Sequence, residues 1–140
     1  RTQDIDAAVW IFGTRRERLI GEEIDQMGSS GNAARIHNLA GQTTLEEAID
    51  LMALCTAVVS NDSGLMHVAA ALEVPLVALF GSSTPSYTPP NGDPKKTEVI
   101  WLSLDCSPCF QQTCPLQHLD CLKKIAPDRV LGAVNRLVQA

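Results

Sequence analysis

The sequence predicts an α/β domain in which a parallel sheet carries helices on both faces. Three observations predict it. Short apolar runs recur without polar alternation, segments of helical periodicity separate them, and the turns after the runs are built from Gly, Ser, Asn and Asp. Runs that are apolar on both sides read as parallel strands, and the helices between them read as right-handed crossovers. The bulk composition fits one such domain: 140 residues, 45% hydrophobic and 19% charged. With 11 basic and 16 acidic residues the net charge is −5, so no global basic field invites nucleic acid.

Ala8–Phe12 (AVWIF), ended by Gly13, reads as the first strand. Leu19, Ile20, Ile24 and Met27 follow at helical spacing, and Gly28-Ser29-Ser30-Gly31-Asn32 stops that helix. Arg35–Leu39 is the second strand. Thr44-Leu45-Glu46-Glu47 is a capping box, in which the Thr hydroxyl and Glu carboxylate satisfy the first free amides of a helix. Behind it Leu45, Ala48, Ile49 and Met52 form one apolar stripe.

Thr56–Ser60 reads as the third strand and Ser63–Leu72 as a helix whose apolar C-terminal half implies burial on several sides. Pro75–Phe80 (PLVALF) is the fourth strand. Residues 81–98, rich in Ser, Thr, Pro and Gly, form a long ordered loop, with a fifth strand at Glu98–Leu102. A Cys-rich segment spans 103–121, and a helix over 127–139 closes the chain with Val130, Leu131, Val134, Leu137 and Val138 inward. The pattern is Rossmann-like and lacks a first strand-helix unit. The start at Arg1, without Met and just ahead of an interior strand, is expected of a piece of a longer protein. No apolar run reaches the ~18 residues of a membrane span, and no leader or internal repeat is expected.

In open parallel sheets ligands bind beyond the carboxyl ends of the strands. Three turns fall there: Phe12-Gly13-Thr14, Ser60-Asn61-Asp62-Ser63-Gly64 and Phe80-Gly81-Ser82-Ser83. The middle one is the richest. Asp62 or Ser63 can cap the following helix, and Gly64 lets a ligand approach the backbone. The helix N-terminus, roughly half a positive charge, favours phosphate oxygens. His67 lies one turn on and shares that face. The competing reading is an ordinary cap beside a packing histidine. No GxxxxGK[ST] and no GxGxxG is present, which argues against a P-loop nucleotidase and a dinucleotide oxidoreductase.

The string Ser60-Asn61-Asp62-Ser63-Gly64-Leu65-Met66-His67-Val68-Ala69-Ala70-Ala71-Leu72, followed by Pro75–Gly81 and Thr88-Pro89-Pro90, resembles the ADP-heptose:lipopolysaccharide heptosyltransferases, the heptosyltransferase II branch above all. The resemblance runs from Trp10-Ile11-Phe12-Gly13 through Leu39-Ala40-Gly41-Gln42-Thr43 to the last helix. It implies the C-terminal, nucleotide-sugar-binding half of a GT-B glycosyltransferase, over residues 1–140. The donor-binding residues it implies are Asp62, Ser63, Gly64 and His67 on the diphosphate and heptose, with Glu17 on the ribose and Gly13 beside it. Gly81 and Ser82 match a loop lining the cleft. The family's Thr- and Lys-bearing phosphate loop and its catalytic carboxylate would lie outside this chain, so no catalytic residue is expected within it.

For a whole enzyme the resemblance implies inverting transfer of heptose from ADP-heptose to the lipopolysaccharide inner core. It implies a separate N-terminal domain, a cytoplasmic location and peripheral contact with the inner membrane. The alternatives are a transferase of the same family for another nucleotide sugar or acceptor, and a non-catalytic nucleotide-binding module. No cofactor is expected to be required. Four of the five cysteines, Cys106, Cys109, Cys114 and Cys121, cluster around a CxxC pair. Structural zinc, a disulfide and free thiols all remain open for them, with His118 able to replace one thiolate. Cys55, at a helix end, reads as core.

Overall fold

The computed structural model describes residues 8–28 and 35–140. The expected helix stop at Ser29–Asn32 lies outside the described residues. The chain divides into two compact units, residues 1–50 and 51–140.

In the first unit β1 (Ala8–Ile11) and β2 (Arg35–Asn38) pair in parallel, with Ala8 opposite Arg35 and Ile11 opposite Asn38. A 3-10 turn at Arg15–Glu17 leads into α1 (Arg18–Gly28). Asn38 ties helix to strand: its Nδ2 donates to the Arg18 carbonyl at 3.0 Å and its Oδ1 accepts from Ala40 N at 3.1 Å. The Leu19, Ile20, Ile24 and Met27 side chains are all exposed in this structure. The next helix, α2 (Leu45–Ala53), starts on the expected capping box. Thr44 N donates to Glu47 Oε2 at 2.8 Å, and Glu47 N donates to Thr44 Oγ1 at 3.2 Å. Ala48 and Met52 are buried, but Leu45, at the start of the same stripe, is exposed.

In the second unit β3 (Val58–Asn61), β4 (Leu76–Phe80) and β5 (Thr97–Trp101) form a parallel sheet in that order, with α3 (Gly64–Ala71) joining β3 to β4. The register sets Asn61 opposite Leu79, and Phe80 opposite Trp101. The carboxyl ends of the three strands therefore share one edge. All strand pairing among the described residues is parallel, as expected, and it falls into these two sets, one of two strands and one of three.

The central strand β4 explains why an unbroken apolar run was required. Side chains alternate across a strand, so Leu76, Ala78 and Phe80 face one way and Val77 the other. The first set packs with Met52, Met66, Ala69 and Ala70. Val77 packs with Ile100, Ile125 and Ala133, flanked by Val130, Val134 and Leu137 of α5 (Pro127–Gln139). Leu76, Val77, Ala78 and Phe80 have no exposed surface at all. Each large side chain so enclosed is worth about 1.5–3 kcal/mol over the exposed state.

Two expectations need correction. Residues 81–93 are irregular, but 94–96 form a 3-10 turn capped by Asp93 and Thr97 already begins β5, so the loop is shorter than 81–98. The turn forms because Asp93 Oδ1 accepts from Lys95 N at 2.9 Å ahead of the fixed φ of Pro94. Val138 is 46% exposed, being about 100° round the helix from Leu137, and Ala133 fills the inner face instead.

Candidate donor-binding site

The turn after β3 is held by the sheet. Asp62 N donates to the Leu79 carbonyl at 3.1 Å, which extends the β3–β4 ladder by one residue. Ser63 is then the N-cap of α3, with extended backbone at φ −153°. Neither Asp62 nor Ser63 caps the helix as the sequence suggested. Ser63 makes no capping bond, and its hydroxyl lies 3.4 Å from that of Ser60. The Asp62 carboxylate is taken by a residue 26 positions away: Thr88 Oγ1 donates to Asp62 Oδ2 at 3.0 Å.

The outcome is a helix N-terminus whose first amides meet no capping side chain among the described residues. Gly64 sits at that point, and a Cβ placed on it would meet nothing within 4 Å. His67 is exposed one turn further on, with no hydrogen bond among the described residues, while Met66, Ala69 and Ala70 of α3 are buried. Asp62 and Ser63 thus lie between β3 and α3, with Gly64 and His67 in the first turn of α3, where the helix dipole has its positive end. Thr88 is a member of this group that sequence reasoning did not assign. Nothing in a separation of 26 residues announces a side-chain bond.

The loop that carries Thr88 is fastened along α3. The Thr84 carbonyl accepts from Tyr87 N at 3.0 Å and Thr88 N at 3.3 Å. A Cβ on Gly92 would stand 2.7 Å from the Ala70 carbonyl oxygen, so only glycine permits that approach. At the loop's start, Ser82 O accepts from Cys109 N at 3.0 Å and Phe110 N at 2.7 Å. Gly81 is buried against Leu122, and its carbonyl accepts from the hydroxyl of buried Ser107, which in turn accepts from Trp101 Nε1 at 3.2 Å. Gly81 and Ser82 thus anchor the loop.

Gly13 and Glu17 belong to the first unit. Glu17 Oε2 accepts from Thr14 N at 2.6 Å and from Thr14 Oγ1 at 2.8 Å. These bonds, the backbone one foremost, hold the carboxyl below its ordinary value. A Cβ on Gly13 would lie 3.1 Å from Glu17 Oε2, so the glycine makes room for the folded-back side chain.

The four clustered cysteines, with Ser107 and His118, line a cavity of about 120 Å³. All five cysteines are free thiols. Among the described residues no group of three or more His, Cys, Asp or Glu side chains is arranged to hold a metal ion. The zinc expectation for Cys106, Cys109, Cys114 and Cys121 thus meets no ready-made tetrahedron. His118 Nδ1 accepts from Asp120 N at 3.0 Å. The Leu119 amide, with those of Leu116, His118 and Gln117, lowers the Cys114 thiol against the opposing effect of burial. Burial and the neighbouring thiols raise Cys121, and burial alone raises Cys55.

Comparison with known proteins bears on this geometry. Residues 1–120 match the family described as glycosyltransferase family 9 (heptosyltransferase). Lipooligosaccharide heptosyltransferase 2 of Haemophilus influenzae is 54% identical over 95 residues, 68% of this chain and 27% of that protein. Lipopolysaccharide heptosyltransferase 2 of Salmonella typhimurium is 42% identical over 130 residues, 93% of this chain and 37% of that protein. A solved structure, that of E. coli ADP-heptose lps heptosyltransferase II, superposes with a TM-score of 0.77 at 42% identity, covering 94% of this chain and 36% of that one. The chain thus spans well under half the length of these relatives. Its parallel α/β fold is shared with a solved heptosyltransferase II, and the chain belongs to glycosyltransferase family 9, the heptosyltransferases.

Proposed function

We propose that the chain is the donor-binding part of a glycosyltransferase that moves heptose from ADP-heptose to the inner core of lipopolysaccharide. The observation that carries this is the uncapped N-terminus of α3 at Gly64, with Asp62 and His67 beside it. Amides at a helix start bind phosphate oxygens without any cation, and an exposed imidazole one turn on can donate to the same group. The names of the relatives support the choice of donor and acceptor.

In such a transfer an acceptor hydroxyl attacks the anomeric carbon directly, with inversion, and ADP leaves with growing negative charge on its phosphates. Amides and an imidazole fixed at those phosphates stabilise the transition state more than the ground state. The base that takes the acceptor's proton belongs, on this reading, to a separate N-terminal domain. Glu17 Oε1, not engaged by Thr14, is the oxygen assigned to the nucleotide ribose. No cofactor enters the proposed reaction. The enzyme would work in the cytoplasm, touching the inner membrane peripherally through its lipid-anchored acceptor. No helix among the described residues is long and apolar enough to cross a membrane.

Calorimetric titration of the full-length enzyme with ADP-heptose, ADP and UDP tests the reading. ADP-heptose and ADP are expected to bind and UDP to bind more weakly. UDP binding as tight as ADP would overturn the donor assignment.

A further inference from the structure

The Thr88–Asp62 bond bears on how the donor is held, an inference that rests on the donor-binding reading above. A carboxylate beside a diphosphate repels it, since like charges a few ångströms apart disfavour each other. Asp62 is useful at this place only if its charge is partly satisfied by the protein and its remaining acceptor is turned to neutral hydroxyls. The geometry supplies both conditions. The Asp62 backbone is locked into the β3–β4 ladder through Leu79, leaving the side-chain torsions as its freedom. Thr88 Oγ1 then fixes Oδ2 at 3.0 Å. Thr88 itself is presented by the Thr84 turn, and its loop is seated against α3 at Gly92.

We propose that Thr88 is a positioning residue that aims the Asp62 carboxylate at the sugar of a nucleoside diphosphate sugar, so that it governs affinity for the sugar and not for the nucleotide. The loop 81–93 thereby acts on sugar recognition through one hydrogen bond.

The test compares Thr88→Val, which removes the hydroxyl at nearly constant shape, with Thr88→Ser, which keeps it. Both are made in the full-length enzyme and titrated with ADP-heptose and with ADP. Hydrogen bonds to a charged group are strong enough that losing one is expected to weaken ADP-heptose binding about tenfold or more. ADP binding should change less than about twofold on the same basis, and Thr88→Ser should restore the donor affinity. A Thr88→Val enzyme that loses ADP and ADP-heptose equally, or loses neither, overturns the inference while leaving the donor reading intact. A wild-type enzyme that binds neither ligand overturns the donor reading and this inference with it.

Discussion

Gly92 lies directly on the backbone of Ala70: a Cβ there would come within 2.7 Å of the Ala70 carbonyl oxygen. Ala70 is near the end of α3, whose start is the open turn at Gly64. The two glycines serve different ends, and substitution separates them. Gly92→Ala is expected to cost about 1–3 kcal/mol, because backbone must move to admit the methyl. Gly64→Ala meets open space, so stability should stay level or rise by up to about 1 kcal/mol, while donor affinity falls as the methyl crowds the phosphates. Urea denaturation and calorimetry on the same two variants read both effects. A Gly64→Ala protein with unchanged donor affinity would contradict the role of the turn.

Asp62→Ala separates ligand binding from helix capping. Because Asp62 bonds Thr88 and not the α3 amides, its loss should cost stability about 1.5–3 kcal/mol, that of one hydrogen bond to a charged group. Donor affinity should fall more than tenfold, since roughly 1.4 kcal/mol is a factor of ten. A large drop in melting temperature with unchanged affinity would restore the capping interpretation.

Thr44→Ala removes half of the capping box on α2 and is expected to destabilise the protein by about 0.5–2 kcal/mol. Thermal unfolding measures this directly, and donor binding should not change.

The cysteines should differ in reactivity by position. Cys114, whose thiol is lowered by backbone amides, keeps more thiolate at a given pH than Cys121 or Cys55, both raised. Thiolate is the attacking species. With iodoacetamide and mass-spectrometric mapping, Cys114 is expected to label first as pH rises toward neutrality. Equal or faster labelling of Cys55 would count against the amide-stabilised thiolate.

Glu17 links the first unit to pH. Its carboxyl is lowered in the fold, so its contribution to stability is present above the ordinary value of 4.5 and is lost as pH falls through the lower folded value. The group is almost fully exposed, and the effect is correspondingly small. An NMR titration should place Glu17 below 4.5, and Thr14→Ala should move it upward. A Glu17 value unmoved by Thr14→Ala would discount the Thr14 hydroxyl.

Features that rest on local periodicity or local bonding were legible in the chain before any folding was known. Pro75–Phe80 could only be a strand covered on both faces, because every second-neighbour set along it is apolar, and both faces are packed. Thr44 and Glu47 could be read as a capping box because their partners are three residues apart. The motif from Ser60 to His67 marked the candidate site for the same reason: its parts are contiguous and share one turn and one helix face. Other features needed the folded molecule. Folding gave Asp62 to Thr88 instead of to the helix, left the α3 amides uncovered, set Gly92 against Ala70, and turned Leu45 and Val138 outward. Those outcomes depend on which of several partners reaches a side chain in space. Chain spacing sets the candidates, but only the packing of the loop on α3 chooses among them.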